Sequence, residues 1–180
     1  MKIVKDMYEK ECLKSSDINE HLPILRYYSS TVAHVTEMGT RSGRSTLALL
    51  MGAPKKMFSY DMNKFAIYNN LRADVAEITD FSFLQANVLE IEIENTDLLF
   101  IDTYHTFCQL SQELERHFDK VNKYIIFHDT QSFGEVGEDK KSPGLLQAIN
   151  DFKNKHTEWR DEKILTNNNG LYILKNIISG

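Results

Sequence analysis

Short apolar runs alternate with helical patterns five times along this chain of 180 residues, and a hairpin signal closes it. That order constrains the fold more than any other feature. Strands separated by helices pair in parallel, and the helices cover both faces of the sheet. The runs span residues 31–36, 56–60, 81–84, 97–102 and 123–127. The fourth, Asp-Leu-Leu-Phe-Ile-Asp, is continuously apolar between two acids, which suits a strand covered on both sides. Helical spacing covers residues 43–50 and 64–77, the second with Phe65, Ile67, Leu71 and Val75. It returns over 107–121, where Leu110, Leu114 and Phe118 form one stripe. Residues 131–141 are polar and contain glycine, and read as a mobile loop. Pro143 suits the first turn of a helix that runs to about His156. Residues 162–165 and 171–177 flank Asn169-Gly170, a hairpin signal. The expectation is one domain over residues 1–180, with residues 1–30 a helical lead-in capped at Ser16 or Asp17.

Composition narrows the function classes. Hydrophobic residues make up 42% and charged residues 26%, an ordinary globular balance. The net charge of −5 lacks the basic footprint of a nucleic-acid binder. No apolar run approaches the roughly 20 residues of a membrane span, and the charged N-terminal stretch has no signal-peptide core. A cytoplasmic protein is expected, with Cys12 and Cys108 as free thiols. A homodimer is left open.

In a parallel sheet of this kind, ligands sit at the carboxyl ends of the strands. The first strand ends in Glu37-Met38-Gly39-Thr40-Arg41-Ser42-Gly43-Arg44-Ser45, a tight turn into a helix. Glycine lets the backbone approach a ligand closely, and the helix start offers free N–H groups. The spacing is neither a dinucleotide fingerprint nor a P-loop. Asp61 ends the second strand, where a carboxylate can accept from both hydroxyls of a ribose. Read locally, the same residues are a structural turn and a helix cap.

The fourth and fifth strands end in Asp102-Thr103-Tyr104-His105 and His128-Asp129-Thr130. Adjacent strands would bring Asp102, His105, His128 and Asp129 to one point. Asp102, His128 and Asp129 are the metal candidates. Two carboxylates suit a hard cation such as Mg²⁺, while imidazole shifts preference toward Mn, Fe or Zn. His105, His128 and Asp129 are the catalytic candidates, a histidine of near-neutral pKa being suited to general-base work. The simpler reading has the histidines satisfying backbone groups at the strand ends. His34 reads as a core histidine inside a strand, and His21, His117 and His156 as helix-surface residues. Tyr104, Phe107 and Phe133 either line an acceptor pocket or pack the core.

Glu37-Met38-Gly39-Thr40-Arg41-Ser42-Gly43 resembles motif I of the class I S-adenosylmethionine-dependent methyltransferases, an acid followed by a GxxxG turn. Ser59-Tyr60-Asp61-Met62-Asn63 resembles their second motif. DLLFIDTYHT and KYIIFHDT look like the fourth- and fifth-strand motifs of the branch that includes cephalosporin-hydroxylase-type proteins and metal-dependent O-methyltransferases. The resemblance covers residues 17–174. It implies an α/β three-layer sandwich, a Rossmann-like seven-stranded sheet in order 3-2-1-4-5-7-6 with strand seven antiparallel. It implies that Glu37, Gly39 and Gly43 cradle the methionine part of S-adenosylmethionine, with Thr40, Arg41 and Ser45 on the same turn. Asp61 would bind the ribose with Met62 beside it. Gln85, Ala86 and Asn87 would touch the adenine, and Asp102 would close the cofactor site. Asp102 and Asp129 match metal-binding carboxylates. His128 stands where relatives often carry an acid, and Thr130 where some carry a metal-binding asparagine. Selectivity for the acceptor would fall to the N-terminal helices and the 131–141 loop.

The resulting expectation is a methyltransferase acting on a hydroxyl of a small molecule, a sugar among the options, assisted by a divalent cation. Two other classes compete. A non-catalytic nucleoside-binding scaffold would bind the cofactor without turnover. A metal-dependent oxygenase or hydrolase would use the Asp/His cluster and ignore the cofactor.

Overall fold

The computed structural model describes residues 1–64 and 66–178. Seven strands form one sheet in the order β3-β2-β1-β4-β5-β7-β6. They are β1 (His34–Met38), β2 (Lys56–Asp61), β3 (Asp80–Gln85), β4 (Thr96–Ile101), β5 (Val121–His128), β6 (Trp159–Leu165) and β7 (Leu171–Asn176). The first five are parallel, and β7 pairs antiparallel with both β5 and β6. Helices α1 (Lys2–Leu13), α2 (Leu22–Ser30), α3 (Arg44–Met51) and α4 (Tyr68–Val75) supply the core of one face. Helices α5 (Phe107–His117) and α6 (Leu145–Lys155) supply that of the other.

The apolar run of β4 is the centre of both cores. Leu98 and Phe100 point to one face and Leu99 and Ile101 to the other, and all four are buried. Each contributes about 1.5–3 kcal/mol of apolar burial, so a charge at any of them would break the sheet at its middle. Parallel pairing then dictates where the strand ends fall. Met38 pairs with Tyr60 on one side and Ile101 on the other, and Ile101 pairs with Phe127. One residue further on, Gly39, Asp61, Asp102 and His128 therefore stand along one rim.

Several boundaries differ from the sequence reading. β1 starts at His34, not at residue 31, because α2 runs on to Ser30 and the Thr31 hydroxyl closes it by donating to the Tyr28 carbonyl at 2.8 Å. Ser16 Oγ accepts from the Asn19 N–H at 3.1 Å ahead of a 3-10 turn (Asn19–His21) whose N-cap is Ile18, and α2 begins only after that turn. Helix α5 stops at His117, since Val121 already pairs with Thr96. Pro143 lies before α6, whose N-cap is Gly144. Helix α4 spans Tyr68–Val75, and Phe65 lies outside the described residues. The loop read as mobile is fastened by Phe133 N–H to the Asp129 carbonyl (2.9 Å), Gly137 N–H to Ser142 (3.0 Å) and Glu138 N–H to His105 (2.8 Å).

The histidines also need correction. His21 and His117 are fully buried rather than on helix surfaces. His117 Nε2 bonds the Val88 carbonyl at 2.8 Å, so that nitrogen carries the proton. His21 packs edge-on against His128, ring centres 5.5 Å apart. His156 is half-buried against Phe118 and Phe152. His34 is half-buried as the first residue of β1, with Nδ1 at 2.6 Å from the Asn95 carbonyl.

Candidate active site

A cavity of about 810 Å³ opens along the rim of strand ends. It is bounded on one side by the β1–α3 turn. Gly39 has φ +87°, and a Cβ there would lie 2.0 Å from the Asp102 carbonyl oxygen. Glycine is therefore required by a positive φ and by the close approach of β4. The Gly39 N–H donates to the Tyr60 carbonyl, and the Asp102 N–H to the Met38 carbonyl, each at 2.8 Å. Gly43, at φ +81°, is the N-cap of α3.

Asp61 braces this turn. Its Oδ2 accepts from the Thr40 and Arg41 N–H groups (2.8 and 2.9 Å) and from the Thr40 hydroxyl (3.1 Å), and its Oδ1 accepts from Asn63 N–H (2.8 Å). Burial alone would raise its pKa, but these donors outweigh that and hold it below the ordinary carboxylate value. Asp61 is thus a fixed anion facing the cavity. Beyond it lie Met62, Ala86 and Asn87, all on the wall. The Asn87 amide is turned toward Glu90 Oε1 at 2.9 Å.

Six residues from the sequence reading do not line the cavity: Glu37, Thr40, Gly43, Ser45, Gln85 and His128. Glu37 is fully buried beneath the turn. Its Oε2 accepts from the Thr46 hydroxyl at 2.8 Å and the Ser59 hydroxyl at 2.5 Å. Burial pushes its carboxyl up to about 7, against the opposing pull of Ser45, Ser59 and Thr46. Gln85 is exposed on the edge strand, and its amide donates to the Met62 carbonyl at 2.9 Å.

The other side of the cavity is an acid–imidazole cluster. His105 Nε2 lies 3.1 Å from both Asp102 Oδ1 and Asp129 Oδ2. Its Nδ1 lies 2.9 Å from Glu138 Oε2, and its ring stacks on Phe133 at 5.0 Å. Burial lowers its pKa, and the Asp102, Asp129 and Glu138 carboxylates more than reverse that, so the net shift is upward. His128 Nδ1 points at the same two oxygens, 3.4 Å from Asp102 and 3.5 Å from Asp129. For His128 too, burial is outweighed by the two carboxylates, and its pKa is pushed up to about 10. The two imidazoles in turn hold the Asp102 carboxyl well below its usual range despite its burial.

These residues fit a divalent cation. One donor atom from each of Asp102, His128 and Asp129 lies within 4.8 Å of the others. Both His128 nitrogens are buried without a hydrogen-bond partner among the described residues, and the neutral form of the ring offers Nδ1 to the same ion. The 3.4 and 3.5 Å separations are long for hydrogen bonds and suit neighbouring ligands at about 2.0–2.2 Å from one ion.

Wall residues not singled out from sequence as site residues include Asp17, Val88, Gln109, Glu138 and Asn169. Asp17 ties the lead-in to the β1–α3 turn through Arg41 Nη1 at 2.7 Å. Of the three aromatics considered, Tyr104 and Phe133 line the cavity, while Phe107 packs against the core beneath α5.

No family model matches the sequence, and no curated protein sequence matches it. Solved structures do. An O-methyltransferase from Bacillus cereus, in complex with S-adenosylhomocysteine, superposes with a TM-score of 0.66 at 16% identity, over 97% of this chain and 89% of that one. The fold is that of the class I methyltransferases. The N-methyltransferase NodS from Bradyrhizobium japonicum with S-adenosylhomocysteine gives 0.63 at 14% identity, over 96% and 98% of the two chains. The S-adenosylhomocysteine-bound methyltransferase PaMTH1 from Podospora anserina gives 0.62 at 15%, over 95% and 86%. The methyltransferase-type sheet order matches the one expected from the sequence. No helix among the described residues is long and apolar enough to cross a membrane.

Proposed function

We propose that this protein is an S-adenosylmethionine-dependent methyltransferase that acts on a hydroxyl of a small molecule. One observation carries the reading: a single cavity has a glycine turn braced by a fixed carboxylate on one wall and the His105–Asp102–Asp129 cluster on the other. The first wall supplies what a nucleoside needs. Asp61 accepts from ribose hydroxyls, and Ala86 and Asn87 lie where a base would follow. S-adenosylmethionine held by these residues would supply an electrophilic methyl group to the cavity they share with Asp102.

Methyl transfer is an in-line displacement. The acceptor oxygen forms a bond to the methyl carbon, the carbon–sulfur bond breaks, and the sulfonium becomes a neutral thioether. The hydroxyl proton must leave. Alignment of the two reactants is the larger part of the task, and proton removal is the smaller. His105 is the residue placed to take the proton, with Glu138 fixing its ring through Nδ1. The carboxylates around it shift its pKa upward, so the neutral form that takes the proton gains population as pH rises. A divalent cation held by Asp102, His128 and Asp129 would lower the pKa of a bound hydroxyl. The structural relatives include N- and O-methyltransferases alike, so the fold does not select the acceptor atom. The hydroxyl assignment is supported by the acid–imidazole cluster, which suits an acceptor that must lose a proton.

Calorimetric titration with S-adenosylhomocysteine tests the reading, with Asp61→Ala as control and Mg²⁺ or Mn²⁺ present or absent. Binding that disappears in the variant supports the nucleoside site. No binding under any condition refutes it.

A further inference from the structure

The turn between β6 and β7 does more than reverse the chain. Asn168, Asn169 and Gly170 have φ of +46°, +69° and +93°. A Cβ on Gly170 would lie 2.3 Å from the Gln131 nitrogen, so the turn sits directly on the segment that follows Asp129. The Asn169 carbonyl accepts from the Gln131 and Ser132 N–H groups at 2.8 and 3.1 Å. With the backbone seated this way, the Asn169 side chain reaches the cavity wall and donates from Nδ2 to Asp129 Oδ1 at 2.8 Å.

That contact decides which way the Asp129 carboxylate faces. The last torsion of an aspartate is broad and roughly two-fold, so it does not by itself distinguish the two oxygens. With Oδ1 held by the amide, Oδ2 is the oxygen 3.1 Å from His105 Nε2 and 3.5 Å from His128 Nδ1. An amide can donate to a carboxylate where a carbonyl oxygen would be repelled, so the NH₂ group must be the one that faces it. The neighbouring asparagines bind the lead-in instead. Asn168 donates to the Ser16 carbonyl at 2.6 Å and accepts from Glu20 N–H at 2.9 Å.

We propose that Asn169 is a positioning residue of the reaction centre, its side-chain amide holding Asp129 with Oδ2 turned to His105 and His128. Its part in methyl transfer rests on the function proposed above, whereas the orientation of Asp129 does not.

The test reads the imidazole ¹⁵N resonances of histidine-labelled protein, alongside calorimetry with S-adenosylhomocysteine. Asn169→Gly removes the amide and tolerates the positive φ. The His105 and His128 resonances should shift or split, and those of His34 and His156 should stay. Asn168→Gly releases the lead-in contacts and should leave the His105 and His128 resonances in place. A residue that only shaped the turn would not move those two rings. The proposal is overturned if Asn169→Gly leaves both at their wild-type positions, or if Asn168→Gly moves them equally. Should Asn169→Gly fail to fold, Asn169→Asp keeps the size, loses the donor and sets a like charge against Asp129. It must then move the same resonances, and their staying in place overturns the proposal. Wild-type protein that fails to bind S-adenosylhomocysteine counts against the methyltransferase reading alone and leaves the resonance test intact.

Discussion

Glu37 offers a quantitative check on how the cofactor turn is supported. Its carboxyl is fully buried, with Oε2 taken by two hydroxyls and Oε1 without a hydrogen-bond partner among the described residues. Its pKa rises from the ordinary 4.5 to about 7 on folding. The folded state thus binds the proton more tightly than the unfolded state, and stability must fall as pH rises from 4.5 through 7. At 1.36 kcal/mol per unit of pKa shift, the loss between about pH 5 and pH 8 is about 2–3 kcal/mol. Glu37→Gln keeps an acceptor for Thr46 and Ser59 but cannot ionise. Its amide leaves donors unsatisfied at every pH, which costs about 1–3 kcal/mol but adds no slope. Urea unfolding of both proteins at about pH 5 and about pH 8 gives the test as a difference of differences, in which all other titrating groups cancel. The variant should gain about 2–3 kcal/mol on the wild type between the two pH values. Parallel pH dependence would show that Glu37 is ionised throughout and that its burial is compensated in some other way.

Three further outcomes follow from the site. Gly39→Ala forces a Cβ into the Asp102 carbonyl at positive φ, so it should cost about 3 kcal/mol or more in chemical unfolding and abolish S-adenosylhomocysteine binding. Asp61→Ala removes a charged acceptor worth about 1.5–3 kcal/mol per hydrogen bond, so calorimetry should show S-adenosylhomocysteine affinity falling by about ten- to a hundredfold for each ribose hydroxyl that uses it. An unchanged affinity would place the ribose elsewhere. The His128 pKa is raised from 6.5 to about 10 in the folded state. Its contribution is complete below 6.5 and lost as pH rises through about 10. His128→Asn should therefore be less stable than the wild type near pH 6, with the gap closing toward pH 10 in urea unfolding, and a constant gap would contradict the raised pKa.

The alternation of strands and helices was legible because each apolar run is bounded by its own turn chemistry, whereas the strand order came with the resemblance of the strand-end motifs. The rim of the cavity was legible for the same reason. Gly39, Asp61, Asp102 and His128 each follow directly on an apolar run, and strand register sets them side by side. Depth was not legible. Glu37 lies only two residues before Gly39, yet it is buried beneath the turn while Gly39 lines the cavity. A polar residue two places inside a strand end can be a wall or a foundation, and the hydroxyls of Thr46 and Ser59 that settle the matter come from α3 and β2. His21 and His117 looked like surface residues because their partners, His128 and the Val88 carbonyl, are 107 and 29 residues away. The same holds more strongly for the second layer of the site. Asn169 reaches Asp129 across 40 residues and Glu138 reaches His105 across 33, and each sits in a loop whose local pattern already had a sufficient explanation as a turn. Strand ends advertise themselves because local chemistry and tertiary role coincide there. The residues that orient them come from turns brought in by the closure of the sheet, and a turn that also positions a carboxylate has the sequence of a turn.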